Sequence, residues 1–194
     1  DATLQVCPYY NKPTQEGFYQ HFKAIADEVD LPIVLYNIPG RCGAGLTPET
    51  VARLNEHDNI VAIKEATGSL DQASEIAMRC DITILSGDDS LTLPLASIGG
   101  KGVISVVANI VPADVKAMTD LILEGDLVKA RQWHRKLFAL SKNMLTLATN
   151  PIPIKAAMAM MDMCSEELRL PMTPLEDAKK AALHKTLENY GLLS

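Results

Sequence analysis

The feature that most narrows what this chain can fold into is an alternation. Short, nearly continuous apolar runs rich in Val and Ile are each followed by a loop with Gly or Pro and then by an amphipathic stretch. The apolar runs predict strands over 3–6, 33–36, 60–64, 82–86 and 103–107. Runs without period-two alternation predict strands covered on both faces. The helices between them open on recognisable caps. Thr14 precedes a helix over 15–29, and Thr47-Pro48-Glu49 sets a capping hydroxyl before a proline at the first helical position. Ser69-Leu70-Asp71-Gln72 has the spacing of a capping box. Such alternation implies right-handed βα units and a parallel sheet.

Two closures of that sheet are open: a doubly wound sheet or a (β/α)₈ barrel. Nucleotide fingerprints are absent, which weakens the first. Gly40-Arg41-Cys42-Gly43-Ala44-Gly45 is not GxGxxG, and Gly99-Gly100-Lys101-Gly102 lacks the hydroxyl residue of a P-loop and leads into a strand. Against the barrel, only five strands are visible where eight are needed. Beyond Pro112 the pattern is helical, over 113–123 and 127–148. Asn150-Pro151-Ile152-Pro153 interrupts it, a helix resumes over 154–163, and Thr173-Pro174-Leu175-Glu176 predicts the start of a last helix that Gly191 ends. Met158, Met160, Met161 and Met163 read as packing residues on a helix.

Composition excludes several classes. With 194 residues and 47% hydrophobic content, the chain can bury a core without disulfide or metal staples. A net charge of −6 argues against a broad nucleic-acid surface. No apolar run approaches the ~18 residues of a membrane helix. The cysteines (Cys7, Cys42, Cys80, Cys164) and histidines (His21, His57, His134, His184) share no ligand spacing, so no metal site is expected, and a reducing cytoplasmic location fits.

The residues able to do chemistry gather at strand ends, where parallel α/β enzymes react. Lys64 ends the run Ile60-Val61-Ala62-Ile63-Lys64. A lysine on an apolar strand loses hydration, which favours the neutral amine that attacks a carbonyl to form a Schiff base. The plainer reading is a lysine snorkelling out or paired with Glu65. Tyr36 ends the preceding strand and can pass protons beside such a lysine, or simply plug the end of the sheet. Arg41 presents a fork suited to a carboxylate, or is a surface arginine. Tyr9 and Tyr10 stand in a proline-bracketed loop and read as interface packing. Asp88 and Asp89 suit metal or acid–base work, or a helix cap. Together these describe a carbonyl lyase or synthase that works through an imine without metal, nucleotide or flavin.

Six segments in order along the whole chain then carry a resemblance: 8–13 (Pro-Tyr-Tyr-Asn-Lys-Pro), 36–41 (Tyr-Asn-Ile-Pro-Gly-Arg), 63–68 (Ile-Lys-Glu-Ala-Thr-Gly), 86–89 (Ser-Gly-Asp-Asp), 102–106 (Gly-Val-Ile-Ser-Val) and 150–155 (Asn-Pro-Ile-Pro-Ile-Lys). The chain closely resembles the dihydrodipicolinate synthase family of pyruvate-dependent class I aldolases. The resemblance implies a (β/α)₈ barrel followed by C-terminal helices. It implies condensation of pyruvate with L-aspartate 4-semialdehyde to 4-hydroxy-tetrahydrodipicolinate, in lysine biosynthesis through diaminopimelate, by a cytoplasmic enzyme without cofactor. It implies that Lys64 forms the Schiff base and that Tyr36 is the proton donor and acceptor. Tyr10 would be a relay tyrosine reaching into a neighbouring subunit's site, Arg41 a ligand of the semialdehyde carboxylate, and Ile104 a backbone contact of pyruvate. Tyr9 would lie near a dimer interface, and the full-length parent would be a homodimer or homotetramer. N-acetylneuraminate lyase and other pyruvate aldolases share the lysine and tyrosine, but Arg41 after Gly40 favours the synthase.

The family's Gly-Thr-Thr-Gly-Glu motif, and the three βα units that carry it, have no counterpart here. The chain is therefore expected to be the C-terminal part of such a synthase: α/β, a partial barrel of five βα units, with residues 1–125 belonging to the barrel and 126–194 forming its helical remainder and a C-terminal helical domain. Alone it is expected to turn over little substrate. The competing expectation is a non-catalytic half-barrel that acts only by association.

Overall fold

The computed structural model describes residues 1–193. The chain divides into two compact units, one spanning Asp1–Ile104 and the other starting at Ser105. The first contains β1 (Thr3–Val6), α1 (Gln15–Glu28), β2 (Ile33–Asn37), α2 (Pro39–Cys42), α3 (Pro48–Asn55), β3 (Ile60–Glu65), α4 (Leu70–Arg79), β4 (Thr83–Ser86), α5 (Thr92–Ala96) and β5 (Gly102–Val103). The strands form one five-stranded sheet in the order β1-β2-β3-β4-β5, and every pair is parallel. A doubly wound sheet reverses its strand order at a switch point. This one never does, and α1 packs on α3 and α3 on α4 in a row. Strands added always on the same side, with their helices in one layer, make the wall of a (β/α)₈ barrel. The fold is α/β, with five of the barrel's eight strands present.

The predicted caps form. The hydroxyls of Thr14, Thr47 and Ser69 accept from the backbone N–H groups of Gly17, Thr50 and Gln72. The capping box at 69–72 is only half made. The Gln72 amide donates instead to the Leu46 carbonyl, and the Ser69 N–H is taken by the Thr67 hydroxyl.

Strand register assigns the two faces of the sheet. Ile33, Leu35, Ile63 and Ile84 bury themselves under Phe18, Phe22, Val51, Leu54, Ala73 and Ile76 of the helices. The other face carries the rows Leu4, Val34, Ala62, Thr83 and Val6, Tyr36, Lys64, Leu85. It is not covered as the continuous apolar runs predicted: Leu4 is 45% and Val6 40% exposed. Those runs are apolar on a face whose burial in a closed barrel would come from the opposite wall. The fifth strand is also shorter than predicted. Pairing stops at Val103, and the Ser105 hydroxyl accepts from the Ala108 N–H, turning the chain into a 3₁₀ turn over Val107–Asn109.

The second unit contains α6 (Pro112–Leu123), α7 (Leu127–Thr146), α8 (Ile152–Met160) and α9 (Asp177–Tyr190), with α6 on α7, and α8 and α9 both on α7. Several boundaries differ from expectation: α7 ends at Thr146 and α8 at Met160, each short of the predicted end, and two helix starts move. Pro153 lies inside α8, in the first turn, where the N–H it lacks has no intrahelical acceptor. The last helix begins at Asp177 rather than after Thr173, because the preceding segment stays outside the helix with Leu175 buried at 4% exposure. Gly191 ends α9 in the left-handed region, with φ 89°. Asp114 on α6 accepts from Lys136 on α7 and from the Tyr190 hydroxyl on α9, tying three helices at one point.

Candidate active site

The β2–β3 register sets Tyr36 directly beside Lys64 at the carboxyl ends of both strands. Both are half-buried, and the Lys64 Nζ lies 4.0 Å from the centroid of the Tyr36 ring. Burial lowers the Lys64 pKa below the ordinary lysine value. The carboxylates of Asp88 and Asp89 work against this, and the Arg41 guanidinium works with it. Burial raises the Tyr36 phenol above its ordinary value, opposed by Arg41 and reinforced by Asp88 and Cys42. Burial and the neighbouring Asp89 raise Asp88, against the pull of Lys64. Lys64, Tyr36, Arg41 and Asp88 therefore share one electrostatic neighbourhood at the rim of the sheet.

Local structure explains how each reaches that rim. Arg41 rides on α2, a single turn started by Pro39 and ended by Gly43 at φ 75°, and its side chain is exposed. Asp88 precedes a 3₁₀ turn over Asp89–Leu91, and its side chain caps nothing there. The sequence left carboxylate chemistry and capping equally open for Asp88, and the cap does not form. The Ile104 N–H donates to the Ser86 carbonyl at 2.9 Å, the closing bond of the Ser86–Val103 pair.

The two loop tyrosines stand apart from this group. Tyr9 is 69% and Tyr10 93% exposed. The Asn11 N–H closes on the Tyr9 carbonyl at 2.8 Å, a γ-turn with Tyr10 at its centre at φ 69°. Positive φ is unfavourable for a bulky side chain, and here it aims the ring into solvent.

Asn37 is not singled out by the sequence, and Glu65 enters only as a possible partner of Lys64; the structure pairs Glu65 with Asn37 instead. Asn37 and Glu65 directly follow Tyr36 and Lys64, so they point to the opposite face of the sheet, where both are buried and their side chains meet. The available signal was positional: a polar residue after each strand-end candidate, in runs otherwise apolar. Among the described residues no group of three or more His, Cys, Asp or Glu is placed to hold a metal ion, and no helix is long and apolar enough to cross a membrane.

A parallel barrel wall with a half-buried lysine stacked on a tyrosine at its carboxyl rim defines the barrel class of α/β enzymes, whose chemistry sits at strand ends. Comparison with known proteins narrows the class. The model of the dihydrodipicolinate synthetase family matches residues 1–190, and the chain belongs to that family. It is 55% identical, over its whole length, to a 4-hydroxy-tetrahydrodipicolinate synthase of Pelobacter propionicus, of which it covers 67%. It superposes on a dihydrodipicolinate synthase crystal structure with a TM-score of 0.96 at 51% identity, covering 100% of this chain and 67% of the other. A third relative is the Acinetobacter baumannii synthase solved with pyruvate (TM-score 0.95, 40% identity, 100% and 67% covered). The chain thus spans about two-thirds of the length of these relatives.

Proposed function

We propose that this chain carries the imine-forming wall of a synthase that condenses pyruvate with L-aspartate 4-semialdehyde. The observation that carries the reading is the Lys64–Tyr36 pair: an amine 4.0 Å from a phenol-bearing ring, on adjacent parallel strands, with burial favouring its neutral form. The pyruvate held by the Acinetobacter baumannii relative supports the first substrate, and the name of the Pelobacter propionicus relative supports the product.

The neutral Lys64 amine adds to the pyruvate ketone, and loss of water gives the imine. Tyr36 serves as the proton carrier for that addition and dehydration. Loss of a methyl proton gives the enamine, whose carbon attacks the aldehyde of the semialdehyde to form the new C–C bond. The amino group of the semialdehyde then attacks the imine carbon, closes the ring and expels the Lys64 amine. Arg41, exposed at the rim, is suited to hold the semialdehyde carboxylate as a bidentate partner. Because the Ile104 N–H is committed to Ser86, its contact with pyruvate falls to its carbonyl.

Tyr10 completes the reading as a donor to another subunit's site, which its exposure and its strained turn support. Tyr9 beside it marks the matching interface of a homodimer or homotetramer, acting in the cytoplasm. The test is borohydride reduction in the presence of pyruvate, followed by peptide mapping of the complete protein. Modification at Lys64 is expected; modification at a different lysine would overturn the assignment.

A further inference from the structure

Behind the Lys64–Tyr36 pair lies a buried polar cluster that the proposed reaction does not itself use. Asn37 is 0% and Glu65 4% exposed, each one residue beyond its neighbour at the site. The Asn37 amide donates both hydrogens, to the Leu46 carbonyl at 3.2 Å and to Glu65 Oε2 at 3.3 Å. Its oxygen accepts from the Leu46 N–H at 3.0 Å. The other carboxylate oxygen of Glu65 accepts from the Thr67 N–H at 2.8 Å. The backbone repeats the tie: the Ala66 N–H donates to the Asn37 carbonyl and the Gly87 N–H to the Glu65 carbonyl.

This pattern leaves little freedom. Every polar group of Asn37 is used, and both Glu65 oxygens face N–H donors. An ionised carboxylate meets that demand, whereas an amide in its place would turn an NH₂ toward one of the two donors. Burial raises the Glu65 pKa, and donors from Thr67, Asn37 and Gln72 pull it back. A carboxyl group with so little access to water is costly as mere packing on the helix-facing side of a strand. It becomes intelligible if it holds something in place.

We infer that Glu65 and Asn37 are positioning residues: their hydrogen bond across the back of β2 and β3 locks the strand ends whose front carries Lys64 and Tyr36. The inference rests on the reading that Lys64 forms the imine. Misplacing a reacting group by a fraction of an ångström costs rate without removing any contact to substrate. The effect therefore falls on kcat and on imine formation, not on KM.

The experiment uses the complete protein. Trapping with pyruvate and borohydride first establishes whether Lys64 is the labelled residue; a label elsewhere brings down the reading of the site, and with it the positioning role. With Lys64 labelled, Glu65→Gln is expected to slow trapping and kcat about tenfold while leaving KM for pyruvate within about twofold. Glu65→Asp keeps the charge but retracts it from Asn37, and is expected to show the same pattern. Ile76→Val, a buried change on α4, serves as the control for stability alone and is expected to lower Tm without altering either rate. Unchanged trapping and kcat in Glu65→Gln would overturn the inference, as would an equal loss of kcat in the control. If neither Glu65 variant folds, the pair is a folding element and the positioning role falls.

Discussion

The Lys64 Nζ stands over the face of the Tyr36 ring, 4.0 Å from its centroid, because parallel pairing brings the two residues into the same row. Two effects compete there. Half-burial on an apolar sheet disfavours the ammonium form, the Asp88 and Asp89 carboxylates favour it, and burial prevails, so the Lys64 pKa falls. The arrangement keeps a phenol-bearing ring against an amine biased toward its neutral form.

Replacing Tyr36 with Phe separates these functions. The ring stays under Lys64 and the hydroxyl is lost. The expected result is a fall in kcat of about 100-fold, the size typical of a lost general acid–base group. Borohydride trapping with pyruvate should still label Lys64, more slowly. Stopped turnover assays and peptide mapping of the same samples check both.

The Asp88 carboxylate favours the Lys64 ammonium, and burial opposes it. Asp88→Asn removes one favourable charge, so the Lys64 pKa falls further. Imine formation needs the free amine and rises with pH through that pKa. Its midpoint should therefore move to lower pH in the variant, measured as trapping rate against pH. A midpoint moving upward would show that Asp88 does not act on Lys64 through its charge.

Gly87 is held by geometry. A Cβ there would lie 2.5 Å from the Ala66 Cβ and 3.1 Å from the Glu65 carbonyl oxygen. Gly87→Ala must push the ends of β3 and β4 apart beside Lys64. The expected cost is about 1–3 kcal/mol, as for overpacking elsewhere. Denaturant titration reads the stability loss, and slower trapping at Lys64 should accompany it.

The 194-residue chain by itself presents Leu4 and Val6 on the sheet face that carries Lys64, each at least 40% exposed, and β1 and β5 form the edges of its sheet. Exposed apolar strands with open edges pair with other chains. Its expected behaviour is self-association on gel filtration and turnover far below that of a synthase of the relatives' full length. Monomeric elution with full turnover would contradict this.

Much of the site was legible because its signals are local. Lys64 and Tyr36 announce themselves as polar ends of apolar runs, and the hydroxyl caps at Thr14, Thr47 and Ser69 follow from spacing alone. Where the sequence misled, a long-range demand won. Gln72 left its capping box for the carbonyl of Leu46, which lies on a different βα unit. The segment before α9 stayed non-helical while burying Leu175.

The amino-acid sequence by itself determined the βα alternation, the strand-end positions of Tyr36 and Lys64 and the family resemblance, since each depends on residue type and near-neighbour order. Only the tertiary structure decided the strand order that makes the sheet a barrel wall, and the register that stacks Lys64 on Tyr36. It alone joined Asn37 to Glu65 behind them. Those are relations between residues about 30 positions apart, and hydrogen-bond register and close packing settle them, not the preferences of any one segment.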